Sequence, residues 1–275
     1  MLSDDRIGLD DTQLEFLVYF RLILVAVFIP LYLGLITILL TQKQFHSVVA
    51  YNIMVQIGCV DVLCLLTVGL AALMSIYLRN FAFIAKLATY FRCLYFVALF
   101  SFSFLLALNR FFVYNQVTKL RASHYKYLAA LSWLLSFLIL PLCLALHRKT
   151  ETEYDFLFAL YFADGFVAQK VVRGLEITFY AGTIVTYLAI VALIVIKRVK
   201  FNLKVKLSSP ETRVLLQAFL LFFPPVVVFG ILMSMFRFDV TGVMLLRNRS
   251  VVLAVNVIYD LLPAINLVVQ VAFNP

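Results

Sequence analysis

The chain predicts an all-α integral membrane protein: a bundle of seven transmembrane helices in one domain spanning residues 1–275. Three observations carry this. Seven apolar stretches, near 16–40, 50–76, 82–108, 127–146, 174–196, 214–236 and 250–273, are each long enough to cross the hydrocarbon core at helical rise. Hydrophobic residues make up 64% of the chain and charged ones only 13%, with mean hydropathy +1.03, so no single aqueous core hides the apolar side chains. The runs lack the period-two alternation of barrel strands, and a helix satisfies its own backbone in lipid.

In order along the chain, residues 1–15 are polar and acidic (Asp4, Asp5, Asp10, Asp11). They lack the cationic start and cleavage site of a secretory signal, so the first stretch is expected to be its own insertion signal. It carries one charge, Arg21; the second carries Asp61 and the third Lys86 and Arg92. The fourth has no charge and holds the single Trp, Trp133. The connection 147–173 contains an apolar run, Tyr154–Ala168, too short to cross, which is expected on the membrane surface or folded over the bundle mouth. The fifth stretch carries Glu176, the uncharged sixth holds Pro224-Pro225, and the seventh carries Asp260. Charges inside a membrane are functional candidates by default.

Connections 41–49, 109–126 and 197–213 hold eleven Lys/Arg against nine on the other side, nearly a tie. The dense run Lys197, Arg198, Lys200, Lys204 and Lys206 directly after a span decides the orientation: N-terminus outside, 197–213 in the cytoplasm. The basic inner side suits anionic membrane lipid or an acidic cytoplasmic partner, and basic residues this close to the membrane argue against nucleic acid. The four cysteines fall within spans, where packing explains them. No His-Glu-x-x-His, Gly-x-Ser-x-Gly or paired intramembrane aspartates occur, and His46, His124 and His147 lie at loops or span ends. These absences argue against an enzyme, a metal or a haem, and no cofactor is expected. Asn248-Arg249-Ser250 is a glycosylation sequon close to the seventh span.

Several short motifs fall in a telling order. The third stretch ends in Leu108-Asn109-Arg110-Phe111, where Arg110 is either a signalling residue or a snorkelling interfacial cation. Asp61 lies in Gln56-Ile57-Gly58-Cys59-Val60-Asp61-Val62-Leu63, and its burial at mid-depth costs about 3 kcal/mol on insertion scales. The sixth stretch reads Phe219-x-x-Phe222-Phe223-Pro224-Pro225, and the seventh Asp260-Leu261-Leu262-Pro263-Ala264-Ile265-Asn266. This series resembles the Leu-Ala-x-x-Asp-Leu, Asp-Arg-Tyr, Phe-x-x-Cys-Trp-x-Pro and Asn-Pro-x-x-Tyr signatures of rhodopsin-like G-protein-coupled receptors. Asn-Arg for Asp-Arg, the paired prolines and the Cys-free outer loop look most like nematode serpentine chemoreceptors. Leu267 and Gln270 depart from the last signature, and the family's usual sodium pocket keeps only Asp61 and Asn266.

The resemblance implies a multi-pass plasma-membrane receptor, often in sensory cilia, that binds a small molecule and activates a heterotrimeric G protein. It implies an activation switch at Asp61, Phe219, Phe223, Pro224, Pro225 and Asn266, and G-protein coupling at Asn109, Arg110, Lys197, Arg198 and Arg213. Arg92 lies 18 residues, about 27 Å, outward of Arg110, and Asp260 about 9 Å outward of Asn266. In rhodopsin-like receptors the corresponding points on helices three and seven face one another across the ligand pocket, so the resemblance implies an Arg92–Asp260 ion pair there, with Tyr95, Phe96, Glu176, Tyr180 and Phe223 as further ligand-binding candidates. The absence of Lys from the seventh stretch excludes a retinal Schiff base there. The rival reading is a seven-helix transporter for a small solute, with Asp61, Arg92 and Asp260 along its path; no repeat relates the first three spans to the last three.

Overall fold

The computed structural model describes residues 11–46, 48–77, 82–115, 122–146, 154–155, 160–161, 166–200, 210–237 and 249–273. Within them lie seven long helices: α1 (Asp11–Thr41), α2 (Val49–Tyr77), α3 (Ala82–Asn115), α4 (Ala122–Leu146), α5 (Phe166–Lys200), α6 (Pro210–Arg237) and α7 (Arg249–Phe273). A single turn, Lys43–His46, follows α1. Two-residue strands β1 (Tyr154–Asp155) and β2 (Leu160–Tyr161) pair antiparallel, and β2 lies beside α3.

Among the described residues, five helices are long and apolar enough to cross a membrane: Asp11–Thr41, Val49–Ile76, Leu94–Asn115, Val171–Ile196 and Leu253–Ala272. Burial supports lipid as their surroundings, because charged and amide side chains are buried alongside an apolar core while large apolar side chains are exposed. Arg21, Asp61, Asp260, Asn266 and Gln270 are buried to within 1% of completely, while Ile23, Val185 and Leu188 are more than 60% exposed. In water each exposed Ile or Leu forgoes about 1.5–3 kcal/mol of burial. Against lipid tails those side chains face a matching solvent, and the polar groups turn to one another. On α1 the spacing shows it directly: Ile23, Val27 and Leu31 form an outward stripe, while Leu17, Arg21, Leu24 and Tyr32 point in.

The third helix is the hub. Two thirds of its spanning window is buried, against 17% for α1 and α5, and it packs on α2, α4 and α5. The main core joins Leu94, Leu99, Phe102 and Leu106 of α3 to Ile53, Ile57 and Val60 of α2, with Val228 of α6 and Leu262 of α7. The first helix packs on both α2 and α7, and α6 on α7. Trp133 binds α4 to α2, its indole N–H donating to Gln56 Oε1 at 2.7 Å.

Close approach of α5 to α3 depends on one small residue. A Cβ at Gly182 would lie 3.0 Å from the Phe104 ring, tighter than van der Waals contact. Gly182→Val is expected to destabilise the bundle by about 1–3 kcal/mol through overpacking. Gly34→Ala, whose Cβ meets nothing within 4 Å, is the tolerated control; thermal unfolding in detergent compares them.

Candidate functional site: three buried polar layers

The polar residues of this apolar bundle gather at three depths. In the first layer, Arg21 Nε of α1 donates to Asp260 Oδ2 of α7 at 2.7 Å, and its Nη2 to Asn256 Oδ1 at 3.3 Å. Asn256 and Asp260 are four residues apart, so one face of α7 presents both to the same guanidinium. Both charged side chains are at most 1% exposed, and a carboxylate and a guanidinium satisfy each other's charge where water does not reach. Asp260 therefore has an ionic partner that the sequence reading does not foresee. The expected partner, Arg92, has its side chain outside the described residues. The signal that could have raised Arg21 is its being the single charge in the first apolar stretch.

The second layer surrounds Asp61, which is fully buried on α2. Asn266 Nδ2 of α7 donates to Asp61 Oδ1 at 3.1 Å and approaches Oδ2 at 3.3 Å. The Tyr95 hydroxyl of α3 lies 3.3 Å from Oδ1, and that of Tyr32 of α1 lies 2.8 Å from Oδ2 and 2.6 Å from the Pro263 carbonyl oxygen. Four helices thus meet at one carboxyl group. Asp61 and Asn266, expected together in the activation switch, are in direct contact. Tyr95, expected in the ligand cavity, turns its hydroxyl to this layer, and Tyr32 is a participant that no motif announces.

The third layer lies at the far end of α3. Arg110 Nη2 donates to Gln217 Oε1 of α6 at 2.8 Å, and Nη1 to the Tyr187 hydroxyl of α5 at 3.3 Å. Arg110 is only 9% exposed and its neighbour Asn109 7%, so the guanidinium turns into the bundle. The side chains of Lys197, Arg198 and Arg213 lie outside the described residues. Between the second and third layers a small cavity of about 10 Å³ is lined by Leu99, Ser103, Tyr187, Leu221, Phe222 and Asn266, among others. That volume suits about one water molecule.

The aromatic candidates separate by helix face. Phe96 packs edge-on to Tyr259, with ring centroids 5.5 Å apart, and Tyr180 stacks on Phe222 at 5.2 Å. Glu176 is buried on α5, 4% exposed. Phe223, expected to line the cavity and to act as the switch, is 50% exposed and stacks at 4.8 Å on the equally outward Phe219. Its neighbour Phe222 takes the inward position. The reason is helical phase: Gln217, Leu221, Pro225 and Val228 define the inner face of α6, and Phe219 and Phe223, four residues apart, share the outer one. Pro224 and Pro225 lie inside an unbroken helix, with Pro225 buried; each removes a backbone donor from the ladder.

Fold and polar layers together define a helical membrane protein whose buried polar groups link most of its helices. Comparison with known protein families and with characterised proteins finds no match.

Proposed function

We propose that the chain is a chemosensory G-protein-coupled receptor of the plasma membrane, crossing the bilayer seven times with its N-terminus outside. A small environmental molecule binds in the outer half of the bundle and a heterotrimeric G protein engages the inner end. The observation that carries this reading is Arg110: a cation at the end of the central helix, held under cover by one group on α5 and one on α6. An arginine whose work is only to end a span has no need of such partners.

A ligand acts on a two-state bundle only by binding one state better than the other. In the present state the outer candidates fill the space among themselves, Phe96 against Tyr259 and Tyr180 against Phe222. A ligand entering beside Asp260, Glu176 and Tyr180 displaces a ring, and the ring it moves, Phe222, sits two residues before the proline pair of α6. Movement there separates Gln217 from Arg110 and opens the basic inner face that Arg110, Lys197, Arg198 and Arg213 would supply. Lining groups of this kind favour small, apolar or weakly charged ligands.

The test is expression in a heterologous cell with a panel of volatile and water-soluble small molecules, reading G-protein nucleotide exchange and solute uptake side by side. Dose-dependent exchange is the expected result. Dose-dependent uptake without exchange would replace the receptor with a transporter.

A further inference from the structure

The second layer contains more acceptors than an ionised Asp61 allows. The Tyr32 hydroxyl has one hydrogen, yet its oxygen lies at hydrogen-bonding distance from two others, Asp61 Oδ2 at 2.8 Å and the Pro263 carbonyl at 2.6 Å. A carbonyl oxygen only accepts. Were Asp61 a carboxylate, the single hydroxyl hydrogen would leave at least one of the two contacts without a full hydrogen bond inside the normal O–H···O range. A single hydrogen shared between both acceptors would make two weak, bent bonds, whereas 2.6 and 2.8 Å are the lengths of full O–H···O bonds; two full bonds need a second hydrogen, and the group in contact able to carry it is the Asp61 carboxyl.

We propose that Asp61 is a neutral carboxylic acid in this conformation, donating from Oδ2 to the Tyr32 hydroxyl, which in turn donates to the Pro263 carbonyl. The chain runs in one direction from α2 through α1 to α7. The other carboxyl oxygen, Oδ1, remains an acceptor for Asn266 and Tyr95. Among the described residues, every group facing the site is compatible with neutrality: Tyr32 from α1, Cys64 from α2, Tyr95 from α3, and Asn266 and Tyr259 from α7. Among the described residues no cation bonds Asp61, and the arginine of the first layer engages Asp260 and Asn256. An isolated carboxylate here would carry the full cost of a buried charge, which protonation removes. Three helices are therefore joined by a proton, where a metal cation would need the ionised form. A tyrosine is what makes the assignment possible, since an amide at its place would bring two hydrogens and serve both acceptors.

Infrared spectroscopy of the full chain in nanodiscs tests this, with and without carbon-13 in the aspartate side-chain carboxyl. Neither ligand nor G protein is required, so the outcome is independent of the receptor reading. The expected spectrum has a protonated-carboxyl C=O band that moves on labelling, vanishes in Asp61→Asn, persists in Asp260→Asn and shifts in Tyr32→Phe, which removes the acceptor. If Asp61→Asn does not fold, the labelled wild type and Tyr32→Phe still decide. A wild-type spectrum without a label-sensitive protonated-carboxyl band overturns the proposal, as does a band that survives Asp61→Asn or ignores Tyr32→Phe.

Discussion

Arg21→Leu is expected to destabilise the bundle by about 3–5 kcal/mol, because it leaves the Asp260 carboxylate buried without its guanidinium. The cost comes from the stranded charge more than from the lost attraction. Removing both charges in Arg21→Leu with Asp260→Leu should therefore recover most of the loss, as apolar replacement of a buried pair is often neutral. Because α1 and α7 meet at this pair, the single variant should also loosen the contact between the first and last helices. Thermal unfolding in detergent of the two single variants and the double variant closes the cycle. Losses that simply add in the double variant would show that the two residues do not depend on each other.

The division between what sequence shows and what it hides follows from helix geometry. Asp61, Asn266 and Arg110 are legible because a polar residue deep in an apolar run is rare and costly, so its presence alone points to a partner. Tyr32 is hidden: it is one of 14 tyrosines, and nothing local separates one that reaches a carboxyl from one that packs. The Arg21–Asp260 pair joins residues 239 positions apart, and closing the ring between first and last helices is a property of the bundle that no short motif carries. Phe222 and Phe223 differ by one position, about 100° of helical rotation. On a helix apolar all round, hydrophobic pattern does not say which of them faces in. Only the packed structure selects Phe222, by placing it against Tyr180 and Tyr187.

Variants at Gln217 and Arg110 should move signalling in opposite directions if the third layer is a latch. Gln217 Oε1 accepts a hydrogen bond from a charged donor, Arg110, at 2.8 Å, and such bonds contribute about 1.5–3 kcal/mol. If the bond exists only in the resting state, Gln217→Leu shifts the resting-to-active equilibrium by roughly ten- to a hundredfold and raises nucleotide exchange without ligand. Gln217→Glu does the reverse: it keeps the acceptor, adds a negative charge and strengthens the hold on the guanidinium, so basal exchange falls and more ligand is needed. On the proposed receptor reading, Arg110→Ala removes the latch and also the cation that would be offered to the G protein, so ligand-stimulated exchange is expected to be lost while surface expression is retained. A residue that merely stabilised the fold would lower surface expression in all three variants and would not separate Leu from Glu at position 217. Equal exchange in Gln217→Leu and Gln217→Glu, at equal surface expression, would remove the latch from the mechanism and leave Arg110 without a resting-state role.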